Sequence, residues 1–499
     1  MNPTYAAIIC ACGIAGLFYL DRDDRARTSK ALWLPVAWLW ILGSRPVSEW
    51  LGIASTSTNV GDGSPFDAAV FGVLLAAAVA VLVWRRKRTR PFLTSNWPIL
   101  IYFFYCLVSV AWSYYPDVSL KRWVKAVGDV AMVLVIVTEP RLPDALGRLF
   151  SRVGFLLFPT SVLLIKYYGY LGRGYTPDGD QMNTGVTTNK NMLGVILFVI
   201  LLGVVWRIVA LLRTKNARNR RRHLLAQGVL LGFGVVLFEM ADSATSLACF
   251  VLGTTLILTT ELPFFRRRPG AVHALVGSIV LVGASAMLFG GQDTMIHTLG
   301  RQSNLSGRTE IWAAAIPAAP NAILGAGFES FWISPCVQKF QRGLVGWWHP
   351  EFLNEAHDGY IEVYLNLGWV GVCLISLILI SGYRHAVAAL RLNPSVGGLM
   401  LAYITTAAVY SITEAGFRML DPIWIFLLLA VVGASGVAAG LFSGKVTNIS
   451  GSRGATAGRT PAGNKLIPGR ETVNAARRGL TQFKDHSHQP SPLLLPSGF

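Results

Sequence analysis

Met192-Leu193-Gly194-Val195-Ile196-Leu197-Phe198-Val199-Ile200-Leu201-Leu202-Gly203-Val204-Val205-Trp206 decides the fold class, because this run carries no charge and lies inside an apolar segment, 191–212, long enough to cross a bilayer. A hydrocarbon layer of roughly 30 Å needs about 20 residues as a helix, and backbone groups in lipid must bond within their own segment. Comparable runs fall at 4–20, 31–44, 67–84, 98–112, 126–138, 147–165, 224–240, 246–262, 271–290, 360–382, 398–416 and 421–443. Those at 31–44, 98–112 and 126–138 are short, so the expectation is an all-α polytopic membrane protein of about 12–13 transmembrane helices. The 499 residues are 53% hydrophobic and 14% charged, well outside the range of a soluble globular chain.

The net charge of +18 is spread over loops and not gathered on one soluble domain, which argues against a nucleic-acid-binding protein. Arg85-Arg86-Lys87-Arg88, the stretch from Arg213 to Arg222, and Arg266-Arg267-Arg268 fall on one side of the membrane under this segmentation, and the positive-inside rule makes that side cytoplasmic. The loops 45–66, 113–125, 166–190, 241–245 and 291–359 are then external. The first apolar run has no basic stretch before it and is followed by Asp21-Arg22-Asp23-Asp24-Arg25, so it reads as a retained span and not a cleaved signal peptide. Six cysteines form no disulfide framework, and none pairs with histidine at zinc-ligand spacing, so no metal site is expected. The segment 444–499, rich in Gly, Ser, Pro, Arg and Lys, has no apolar period and reads as a disordered basic cytoplasmic tail.

Within the largest external loop, Asn354-Glu355-Ala356-His357-Asp358-Gly359-Tyr360 parks an imidazole where an apolar helix begins. A titratable group at a membrane surface is a better candidate for chemistry than for packing, and Glu355 or Asp358 is placed to orient its ring. Upstream, Ser306-Gly307-Arg308-Thr309-Glu310-Ile311-Trp312 predicts a short helix stopped by Pro317, with Ser306 as its cap and Arg308 in its first turn. Guanidinium and free backbone N–H groups could then face one anion such as a diphosphate; the competing reading is a solvated arginine paired with Glu310. Gly325-Ala326-Gly327-Phe328-Glu329-Ser330-Phe331-Trp332 suits a surface that stacks on sugar rings or leans into headgroups. Arg173 and Lys190, in a second external loop, are cations on the unfavoured side and so candidates for an anionic ligand.

With Ala111-Trp112-Ser113-Tyr114-Tyr115-Pro116, the GVTTNKNMLG run at 185–194, SGRTEIW at 306–312 and AHDGYIEVYLNLGWVG at 356–371, the chain resembles the O-antigen ligase and Wzy-type polymerase superfamily, in its exopolysaccharide polymerase branch. The likeness covers roughly residues 112–417. It implies a GT-C-like membrane core spanning 1–443, with a periplasmic loop at 291–359 that contains short helices, in a bacterial inner membrane. It further implies transfer of a glycan from undecaprenyl diphosphate to a sugar hydroxyl, without a metal or other cofactor. His357 matches the family's base. Arg308 matches its loop arginine; Glu355 and Asp358 beside His357, and Arg173 or Lys190 as a substitute for a missing diphosphate contact, are the further substrate-binding candidates. Ser243-Ala244-Thr245 departs from the family's Ser-Arg-Thr pattern, leaving one diphosphate contact missing at Ala244. Expected partners are the lipid-linked oligosaccharide, membrane lipid, a polysaccharide copolymerase and export proteins. The alternatives are a ligase acting on lipid A core, a transporter or flippase, and a structural member of an export machine.

Overall fold

A computed structural model describes residues 2–23, 27–53, 63–175, 179–214, 219–288, 306–344 and 353–442. The residues 289–305 and 345–352 of the large loop, with His297, Trp347, Trp348 and His349, lie outside this set, as does the expected tail. Each of the thirteen apolar runs is occupied by a helix. In chain order these are α1 (Pro3–Leu20), α2 (Trp33–Leu42), α3 (Val47–Trp50), α4 (Pro65–Trp84), α5 (Arg86–Ser95), α6 (Trp97–Ser109), α7 (Pro116–Val137), α8 (Leu142–Tyr167) and α9 (Gly169–Gly172). After the two-stranded ribbon β1 (Arg173–Tyr175) and β2 (Gln181–Asn183) come α10 (Lys190–Arg213), α11 (Arg220–Ala241), α12 (Ala244–Thr260), α13 (Pro263–Arg267) and α14 (Pro269–Leu288). The loop helices α15 (Ser306–Ala318) and α16 (Cys336–Gly343) precede α17 (Gly359–Leu392), α18 (Pro394–Tyr410) and α19 (Pro422–Ala438).

Proline in the first turn opens α1, α4, α7, α8, α18 and α19, where its missing N–H costs nothing. Asn2, Asn189, Asp358, Asn393 and Asp421 cap helices by accepting a backbone N–H. Among the described residues six helices are long and apolar enough to cross a membrane, or seven if the bent pair α5 and α6 counts as one. The apolar run at 126–138 is the second half of the 22-residue α7, whose first half carries the charges that mask it in the sequence. Two expectations change. The arginine-rich run after Trp84 is not a loop: it enters α5, which meets α6 at 85°. The helix expected over 398–416 ends at Tyr410, so Ser411–Asp421 is a connecting loop.

α17, α18 and α19 pack on one another, α12 lies against α18 and α10, and α7 touches α19. α19 is buried along nearly its whole length, whereas the spanning windows of α1 and α4 are 11% and 6% buried, so those two present their apolar faces outward to lipid. Polar contacts tie helix ends into two groups. One end holds Arg207 2.8 Å and His223 3.2 Å from Asp21, Arg85 2.8 Å from Glu139, and the Arg213–Glu261 pair. The opposite end carries the start of α17, the loop 411–421 and α15.

α17 is broken inside the bundle. Gly368 sits at φ 63° and ψ −165°, and the chain at 321–327 fills the break with backbone hydrogen bonds. Ala326 N–H donates to Leu365 (3.0 Å), Gly327 to Asn366 (2.8 Å), Trp369 to Ala322 (2.9 Å) and Val370 to Ile323 (3.3 Å). A helix interrupted in apolar surroundings needs such substitutes for its lost internal bonds. The glycine and aromatic run at 325–332 therefore serves as a clasp. A Cβ on Gly325 would stand 2.4 Å from the carbonyl carbon of Asn366, and Phe328 and Phe331 are buried in the core rather than offered to a sugar ring.

Candidate active site

The chain is pinned on both sides of His357. Ala356 donates its N–H to Glu362 Oε1 (2.7 Å), and its carbonyl accepts from Trp312 Nε1 (2.9 Å). Next, Asp358 Oδ1 accepts from the N–H groups of Tyr360 and Ile361, both at 2.8 Å, and Gly359 N–H donates to Ser411 O at 2.7 Å. A side chain at Gly359 would meet Ser411 Cβ at 2.9 Å, so the start of α17 touches the end of α18 only because glycine stands there. Between these anchors His357 is forced to φ 50°, in the left-handed region. Glu329 (φ 50°) and Leu420 (φ 61°) share that conformation. Non-glycine residues hold it only where their surroundings over-determine the backbone, and such positions cluster at functional sites.

Around the ring, acids and bases alternate. His357 Nδ1 lies 3.0 Å from Glu355 Oε1 and 3.5 Å from Glu414 Oε2. Glu414 Oε1 accepts from Arg308 at 2.9 Å, and the same guanidinium donates to the Thr413 carbonyl. Glu355 Oε2 is 3.3 Å from Arg418, which also faces Glu329 at 3.9 Å. Met419 N–H donates to Glu329 Oε1 (3.3 Å), and Arg122 donates to the Glu329 carbonyl. Burial alone would lower the His357 pKa, but the two carboxylates outweigh it and push the ring up to about 9. For Glu355 burial works upward, yet His357, Arg418 and Arg308 together hold it below the ordinary value. Asp358 is raised to about 6 because burial exceeds the effect of its two cap hydrogen bonds and of Arg308. At neutral pH the resting ring is therefore an imidazolium between two carboxylates, each of which also faces an arginine.

Of the residues singled out in the sequence, Arg308, Glu355 and His357 meet in this cluster. Arg308 turns toward the loop 411–421 from the first turn of α15, where Ser306 is itself the first helical residue and Pro317 lies within the helix. Asp358 adjoins the cluster, but its carboxylate caps α17. Arg173 donates from Nε to Ile165 O at the end of α8 (3.0 Å), and Lys190 lies 3.9 Å from Asp242. Both are engaged away from the ring. Glu414 and Arg418 were missed by the sequence reading, their signal being a charged Thr413-Glu414-Ala415-Gly416-Phe417-Arg418 stretch taken as the tail of an apolar span, and Glu329 was read only as part of the glycine and aromatic run. Glu355, His357 and Glu414 also place one ligand atom each within 4.8 Å of one another, a spacing that could take a cation. Arg308 and Arg418 already occupy the two carboxylates.

Residues 227–376 match the O-antigen ligase family. The chain is also similar to the exopolysaccharide production protein ExoQ of Rhizobium meliloti (strain 1021), 24% identical over 313 residues, which is 61% of this chain and 68% of the relative. Arg308, Glu355 and His357 fall inside the family segment, whereas Glu414 and Arg418 lie beyond it.

Proposed function

We propose, from the match of residues 227–376 to the O-antigen ligase family and the similarity to an exopolysaccharide production protein, that the chain polymerises exopolysaccharide repeat units, moving a glycan from undecaprenyl diphosphate to a sugar hydroxyl of a lipid-linked acceptor. The observation that carries this reading is the convergence of Arg308, His357, Glu355, Glu414 and Arg418 at one helix start. The positive-inside rule favours a cytoplasmic side for the basic stretches, which supports a periplasmic site at the opposite end of the bundle in an inner-membrane protein.

In the proposed step the acceptor oxygen attacks the anomeric carbon and the bond from that carbon to the diphosphate oxygen breaks. The acceptor proton passes to the His357 nitrogen remote from Glu355, and the electron pair leaves with the diphosphate. Guanidinium groups suit the leaving group because a planar fork grips two phosphate oxygens at once. Arg308 is one such group, and Arg418 supplies the second that Ala244 lacks. Positive groups aimed at the developing charge let the reaction proceed without a metal, and attack from the face opposite the diphosphate inverts the anomeric centre. A ring with a pKa of about 9 is neutral in only about 1% of molecules at pH 7, so turnover by a general base should climb tenfold per pH unit until that value is reached.

The family's description as an O-antigen ligase favours a second reading, ligation, for which we take lipid A core as the acceptor. Glycan analysis of a strain lacking the chain separates the two: loss of a polymerase leaves single lipid-linked repeat units, whereas loss of a ligase leaves long lipid-linked chains. Unchanged surface and lipid-linked glycans would overturn both.

A further inference from the structure

We infer that Glu414, on the loop between the last two helices, is the positioning residue of His357, forming with it a carboxylate–imidazole pair that Arg308 locks in place. The inference rests on the reading of His357 as the base, and concerns a residue outside the segment matched to the family.

Three features favour Glu414 over a chance neighbour. Arg308 holds its Oε1 at 2.9 Å, which turns Oε2 toward His357 Nδ1 at 3.5 Å, an ion-pair distance rather than a hydrogen bond. Its side chain is 9% exposed, against 30% for Glu355, so water screens its charge less. The loop under it is tied down at both ends, by Gly359 N–H on Ser411 O and by Leu420 N–H on Asp129 Oδ2 at 2.9 Å. A carboxylate facing Nδ1 keeps the proton there and turns the other ring nitrogen outward, the orientation a general base needs toward an acceptor hydroxyl. The charged groups around the ring are Glu355 from its own loop, Glu414 from the 411–421 loop, Arg308 from α15 behind Glu414, Arg418 behind Glu355, and the adjacent Asp358.

The test reads the ring directly and needs no sugar substrate. Diethyl pyrocarbonate acylates neutral imidazole only, so the rate at which the His357 peptide of the purified full chain gains a carbethoxy group, followed by mass spectrometry against pH, reports the ring's titration. The parental midpoint should lie near 9. Glu414→Gln should lower it by roughly one to three pH units, the effect of losing an opposite charge at this range, and speed labelling at pH 7 by about tenfold or more. Glu414→Asp keeps the charge and Arg308's partner but withdraws it by one methylene, and should give a midpoint between the other two. A midpoint at the parental value in both variants overturns the pairing, since a merely structural glutamate would not move it. Failure of the underlying reading looks different: His357→Ala would then retain turnover while the Glu414 midpoints still shifted.

Discussion

Substituting Gly368 by alanine should unseat the loop that carries the arginine and the imidazole, although the residue lies three turns from His357. At φ 63° and ψ −165° the backbone occupies a region reserved for glycine, worth about 1–3 kcal/mol of strain to any other residue. The added Cβ would stand 2.1 Å from Ile323 O and 2.2 Å from its carbonyl carbon, and backbone cannot swing aside as a flexible side chain can. Relief requires the 321–327 segment to lift, which breaks at least the Trp369–Ala322 and Val370–Ile323 bonds, at about 1 kcal/mol each. The sum is about 3–5 kcal/mol, a large part of the total stability of a typical domain. Fluorescence-detected size exclusion after heating in detergent should show a clear fall in melting midpoint for Gly368→Ala. Gly13→Ala is the control, because its Cβ would meet nothing within 4 Å. Polymer should be lost as well, because Asn366 holds the N–H groups of Ser330 and Phe331 through Oδ1 and the clasp supports Trp332 and Glu362. If Gly368→Ala melts with the parental chain and makes polymer normally, the clasp has no structural role.

His357→Ala should abolish polymer while the protein still accumulates in the membrane, as glycan analysis beside an immunoblot would establish; polymer at the parental rate would sink the base assignment. Arg308→Lys should reduce polymer despite keeping the charge, and Arg308→Ala should reduce it further, since an ammonium cannot reproduce the fork that reaches Glu414 and the Thr413 carbonyl together. Stability should depend on pH through His357: its folded pKa is raised from 6.5 to about 9, so its contribution is complete below pH 6.5 and fades as pH rises through 9. That window is worth about 3 kcal/mol at most, and the melting midpoint of the parental chain should fall across it relative to His357→Gln; parallel curves would show that the ring is not held charged. Asp358→Ala removes the acceptor of two N–H groups at the start of α17 and should cost about 1 kcal/mol, readable as a lower midpoint.

The apolar periods carried the membrane architecture, because twenty consecutive lipid-compatible residues have few other uses, and all thirteen runs became helices. The segment with His357 stands out in the sequence because acidic and imidazole side chains abut such an apolar run. What stayed hidden was the partner set. Glu414 and Arg418 sit about sixty residues beyond His357, in a stretch whose apolar neighbours Ile412, Ala415 and Phe417 made it read as the end of a span. The contact of Gly359 with Ser411, with the contacts of Arg308 on Thr413 and Glu414, brings that loop to the ring. For Arg173 and Lys190 the sequence displayed the charges but not their neighbours. A cation on the unfavoured side of a membrane need not await a ligand, since a helix-terminal carbonyl and Asp242 are enough to hold them.

The charge pattern of the cluster also bears on how an anionic donor could be bound. Two arginines left bare in a half-buried site would repel each other and the imidazolium, and each would lose hydration without compensation. Glu414, Glu355 and Glu329 reduce that cost in the resting protein by setting three carboxylates against Arg308, Arg418 and the His357 ring. A diphosphate entering the site must compete with those carboxylates for the guanidinium forks. It brings two phosphate groups whose oxygens can take both forks at once, whereas each glutamate offers a single carboxylate. On this view the acids around His357 keep the empty site soluble in its own charges and reserve full exposure of the arginines for a ligand with at least two negative groups.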